Sequence, residues 1–135
     1  MIAGPVTIAG DLLGIQCDAV EIHREQDSST VSIGGNVGLL FCTGQTGLIG
    51  YKINPEVGGV IIHGNFLCQF NSAPCDVLAV TIDGNANVSR NSNGISIVAG
   101  NEIDGNLLCF GNTAVSDDGF PNAVTGEKLG QCAVR

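Results

Sequence analysis

The chain has 135 residues, a formal charge of −8 with only five Lys or Arg, and six cysteines. So few cations exclude nucleic acid and anionic membrane surfaces as partners, because phosphate contacts need clustered Lys or Arg. No apolar run approaches the roughly 18 residues of a spanning helix, so no membrane insertion is expected; 44% hydrophobic residues with 20 glycines suit one domain, residues 1-135, of short strands and tight turns.

In chain order, an apolar, variable, apolar, variable, Gly, Asn/Asp pattern opens as "VTIAGD" from Val6 and returns as "VSIGGN" from Val31, "VIIHGN" from Val60 and "VTIDGN" from Val80. It weakens to "NEIDGN" from Asn101 and "NAVTGE" from Asn122. The second apolar residues are Ile8, Ile33, Ile62, Ile82, Ile103 and Val124, with steps of 25, 29, 20, 21 and 21. A period near 20 without a helical stretch marks a β-solenoid, each repeat being one coil stacked on the next. The spacing predicts an all-β, single-stranded right-handed parallel β-helix of five to six coils stapled by disulfides. A left-handed solenoid and an antiparallel β-sandwich are the alternatives. The longer early steps place insertions at Glu21 to Ser29 and Gly47 to Gly59.

Strand alternation sends the two apolar residues of each copy inward and the intervening residues outward. The glycine then allows positive φ or close approach at the corner, and the next residue bonds to neighbouring backbone. Asp11, Asn36, Asn65, Asn85 and Asn106 are expected to form a ladder. Just before the glycine, the outward column reads Ala9, Gly34, His63, Asp83, Asp104 and Thr125. This is the candidate binding or catalytic column: Asp83 and Asp104 on adjacent coils would lie about 5 Å apart, near the separation of a retaining glycosidase pair, with Glu102 on the same face. The competing reading is a solvated acidic face.

Other motifs carry less. "EIHREQD" at Glu21 reads as a solvated charged insertion, and "VSDDGFPN" around Asp117 and Asp118 as a polar turn rather than a calcium loop, since no EF-hand spacing is present. Polysaccharide enzymes want a cation over the groove and aromatic platforms; Arg90 and Lys52 are isolated in the sequence, and Tyr51 is the only Tyr. No cofactor or metal is called for, because the cysteines form no pair of C-x2-C ligands.

An even cysteine count in turn-rich contexts points to disulfides and an oxidising compartment. Counted from the corner glycines, Cys17 and Cys42 both lie at plus seven, and Cys68 and Cys109 both at plus four. The expected pairs are Cys17 with Cys42, Cys68 with Cys75, and Cys109 with Cys132. "MIAGPVTIAG" has neither the basic start nor the apolar core of a signal peptide, so export would rest on a leader outside this sequence.

From Gly100 to Cys132, "GNEIDGNLLCFGNT…PNAVTGEKLGQC" resembles the tail of small secreted actinobacterial Gly-Asn-repeat proteins. The resemblance implies export and a right-handed β-helix, and brings no activity or catalytic residues. The reading that follows is a secreted structural or adhesive cell-surface scaffold without catalytic activity, whose partner is a glycan or cell-wall polymer. A polysaccharide-active enzyme using Asp83, Asp104 and Glu102, and a subunit that self-associates end to end, are the alternatives.

Overall fold

A computed structural model of the chain describes residues 2–3, 5–23, 30–50 and 59–135. Each coil supplies three short strands. Coil one holds β1 (Ile2–Ala3), β2 (Val6–Ile8) and β3 (Leu12–Ile15); coil two holds β4 (Val20–His23), β5 (Thr30–Ile33) and β6 (Val37–Leu40). Coil three holds β7 (Thr46–Ile49), β8 (Gly59–Ile62) and β9 (Phe66–Gln69); coil four holds β10 (Cys75–Leu78), β11 (Thr81–Ile82) and β12 (Ala86–Ser89). Coil five holds β13 (Ile95–Ala99), β14 (Glu102–Ile103) and β15 (Leu107–Cys109), and coil six β16 (Ala114–Ser116), β17 (Ala123–Val124) and β18 (Lys128–Gly130).

Like strands stack into three six-stranded sheets, β1-β4-β7-β10-β13-β16 first, then β2 to β17, then β3 to β18. The pairings within them are parallel, which removes the antiparallel sandwich. The fold is a parallel β-solenoid, and parallel crossovers are right-handed in nearly all proteins.

The second sheet keeps the register read from the repeat: Ile8, Ile33, Ile62, Ile82, Ile103 and Val124 are successive partners. Ile33, Ile62 and Ile82 are fully buried. Each coil adds inward residues from its other strands, such as Leu48, Val77 and Val98 from the first sheet and Leu39, Val88 and Cys109 from the third. A fully buried side chain of this size contributes about 1.5–3 kcal/mol, so the core is one apolar column per inward strand position rather than a single centre.

The corner glycines do not have positive φ. Close approach of the coils requires them instead: a Cβ on Gly84 would lie 2.5 Å from Asn65 Oδ1 and 2.6 Å from the Gly64 carbonyl oxygen. Asn65 Oδ1 in turn accepts the Asn85 backbone N–H at 2.8 Å, as Asn36 Oδ1 does for Asn65 at 2.9 Å. The expected ladder from Asp11 to Asn106 is therefore present and continuous.

The insertions are narrower than the sequence suggested. Glu21–His23 belongs to β4 and Gly47–Ile49 to β7, while Gly59 opens β8. "VEIH" and "TGLI" send Ile22 and Leu48 into the core, so they complete the first sheet as "CDVL" does in coil four. The surplus falls on residues 24–29 and 51–58, outside the described residues; Arg24, Tyr51 and Lys52 lie there.

All six cysteines are paired as expected: Cys17–Cys42, Cys68–Cys75 and Cys109–Cys132, with Cα separations of 4.4, 6.6 and 5.3 Å. They join coils one to two, three to four and five to six.

Candidate functional site

Strand alternation puts the acidic column on the outer face of the second sheet. The His63, Asp83 and Asp104 backbone N–H groups donate to the carbonyls of Ile33, Ile62 and Ile82, which sets these residues on successive rungs, about 4.8 Å apart. His63 Nδ1 lies 2.8 Å from Asp83 Oδ2, and both side chains are about half exposed, at 49% and 41%. On the other side His63 Nε2 lies 3.3 Å from Ser32 Oγ. With the Nδ1 proton donated to Asp83, Nε2 accepts from the Ser32 hydroxyl. That is the donor order of an activated nucleophile, and the sequence reading missed Ser32 because it sits two residues off the column, at the Thr7, Ser32, Ile61 register position.

What surrounds this chain of bonds limits its chemistry. An oxyanion needs unspent, preorganised donors, yet the amides of Gly34, His63, Asp83 and Asp104 are all spent on the preceding rung. Asp104 stands exposed on the next rung, and Glu102 is exposed in register with Thr81 and Ala123. Among the described residues no three His, Cys, Asp or Glu side chains come together to hold a metal ion. Around Asp117, the turn closes on itself through Ser116 Oγ to Asp118 and the Gly119 N–H to Asp117.

The third sheet presents a different outer surface. Leu13, Ile15, Phe110 and Leu129 are exposed on its strands or at their ends, and Phe41 and Phe70 at the corner that follows. A groove of about 690 Å³ runs along this face. One wall is the Asp11-to-Asn106 ladder and the other includes Leu13, Leu67 and Leu108. The wall was legible in principle, because these leucines all lie three residues after a corner glycine (Gly10, Gly64 and Gly105).

Beside the groove, the Phe41 and Phe70 rings stack at 5.3 Å with 12° between planes, and the Arg90 guanidinium lies 5.1 Å from the Phe70 centroid. Arg90, isolated in the sequence, is therefore part of an aromatic column. Phe41, Phe70 and Arg90 have φ of 58°, 58° and 57°, a left-handed backbone that costs bulky residues about 1–3 kcal/mol each. The rings cover each other's facing sides, so those faces are not open as a platform on which a sugar stacks.

Two further ladders escaped sequence reading. Asn71, Asn91 and Asn112 are buried at plus seven from their corner glycines and link through Nδ2 to Oδ1 at 2.8 and 3.1 Å. Cys42 occupies the same position one coil earlier, its N–H donating to Asn71 Oδ1, so the first disulfide continues the amide column. Asn101 and Asn122 form a third ladder. On the first sheet, Asp76 is nearly buried and accepts from Gln45 Nε2 at 2.6 Å and the Ile97 N–H at 3.0 Å. That satisfied carboxylate has a structural role.

Compared with protein-family models, curated proteins and solved structures, the chain matches none.

Proposed function

We propose that the chain is a secreted, disulfide-stapled scaffold domain that acts structurally or adhesively outside the cell, binds a glycan or cell-wall polymer, and has no catalytic activity. The observation that carries this reading is the amphipathic strip on the third sheet, held on coils that two disulfides staple rung to rung and a third braces across one turn. Three disulfides and no free thiol suit an oxidising compartment. Retention of the folded protein on glycan and cell-wall fractions, without cleavage of pectin, alginate, glucans or peptidoglycan, is the expected result. Cleavage abolished by Ser32→Ala, or by removing Asp83, Asp104 and Glu102 together, would overturn it in favour of the enzyme reading, which the Ser32–His63–Asp83 bonds favour.

A further inference from the structure

The strip on the third sheet has a repeat that narrows its ligand. Each rung from coil one to coil five supplies one ladder residue, Asp11 then Asn36, Asn65, Asn85 and Asn106. The facing column alternates: Leu13 on coil one, Gly38 on coil two, Leu67 on coil three, Asn87 on coil four and Leu108 on coil five. From coil one to coil five its leucines recur every second rung, about 9.6 Å apart, and Leu129 follows Leu108 on the next rung. The amide edge beside them recurs every rung, each Asn Oδ1 spent on the next ladder residue and one Nδ2 proton per Asn left to donate. A Cβ on Gly38 would lie 2.7 Å from Leu13 Cδ1, so the glycine lets Leu13 lean across the gap.

The matching ligand is a polymer lying along the solenoid axis, with hydrogen-bonding groups on one edge in every unit and an apolar face toward the leucines in every second unit. A β-1,4-linked pyranose chain meets this requirement: each ring is about one rung long, its hydroxyls lie at the edges and its C–H groups on both faces, so every second ring can rest on a leucine. Other occupants fit less well. The strands cross beneath the groove with their backbone groups already paired between rungs, so an extended peptide gains no strand pairing there. A folded partner would meet a strip of roughly 24 by 13 Å, about 300 Å², against about 800 Å² per partner in a stable interface. A charge of −8 disfavours anionic polymers.

We infer that the groove between the Asn36–Asn65–Asn85 edge and Leu13, Leu67 and Leu108 binds a neutral, extended, β-1,4-linked glycan chain, one sugar per coil. The inference rests on the adhesive reading and assigns it a face and a ligand class.

The test uses the whole chain with cellohexaose as probe, measured by calorimetry, with oligogalacturonate as the anionic counterpart and insoluble cell-wall fractions in parallel. Leu67→Glu should weaken cellohexaose binding roughly tenfold or more, because it sets an unpaired charge against the sugar face. Leu13→Glu should do the same, and Leu13 is 61% exposed, so this second variant decides should Leu67→Glu fail to fold. Ile95→Glu, an equally exposed apolar position on the first sheet, should leave binding unchanged. Wild-type binding that both groove variants retain would overturn the groove while leaving adhesion standing. Preference for oligogalacturonate would overturn the neutral class. Wild-type protein that binds neither cellohexaose nor any cell-wall fraction would remove the adhesive reading and this inference with it.

Discussion

The outer faces of the second and third sheets are made by the same coils and meet along one ladder of amides, yet their chemistry is opposite. The second face carries Ser32, His63, Asp83, Glu102 and Asp104 on a surface whose amides are consumed by the rungs. The third carries leucines and phenylalanines beside a groove. In a solenoid, inward positions are fixed by the core and corner positions by close approach, so outward residues are the ones left to vary without cost to the fold. A polar outward column is the ordinary solution; an outward face that keeps Leu13, Leu67 and Leu108 beside a groove calls for a partner.

Changes to what both faces share should have the largest effect. Ile82 is fully buried between them, and Ile82→Ala should cost about 3 kcal/mol, read as a lower urea midpoint. Asn91→Ala should cost about 2–3 kcal/mol, because Asn91 is 1% exposed and its loss strands the Asn71 N–H and the Cys68 carbonyl. The same change in the exposed ladder, Asn85→Ala, should cost nearer 1 kcal/mol, since water can replace the missing partner. If the two cost the same, burial is not what separates these ladders. His63→Ala alters only the second face, and its half-exposed bond to Asp83 should be worth about 0.5 kcal/mol or less. A loss several times larger would mean that the Ser32–His63–Asp83 chain holds the coils together.

Much of the fold was legible because inward and corner positions repeat chemically. Ile33, Ile62 and Ile82 announce a strand, Gly84 and Asn85 a corner, and the shared offset of Cys17 and Cys42 their pairing, while Cys68–Cys75 follows from the short loop they bracket and Cys109–Cys132 from closing the final coil. The first sheet was less legible: β4 and β7 share no motif with "CDVL", because any apolar residue fills an inward position, and so they read as insertions. The candidate site divided similarly. The His63–Asp83–Asp104 column followed from the repeat, whereas Ser32 joined it through a contact between rungs that no spacing encodes. The groove was missed although Leu13, Leu67 and Leu108 share an offset, because Gly38 and Asn87 interrupt the column and outward leucines resemble ordinary strand residues. Phe41, Phe70 and Arg90 also share one, six residues after Gly35, Gly64 and Gly84, but a cation following two aromatics hides the column until stacking is seen.

The most direct test of the contrast between the faces is an NMR titration of side-chain amide and backbone signals with cellohexaose. The side-chain amides of Asn36, Asn65, Asn85 and Asn106 should shift together and saturably, with the methyls of Leu67 and Leu108, while Asn71, Asn91 and the signals of His63, Asp83 and Asp104 stay in place. Shifts confined to the His63–Asp83–Asp104 column, with the ladder unmoved, would contradict the assignment and return the site to the acidic face.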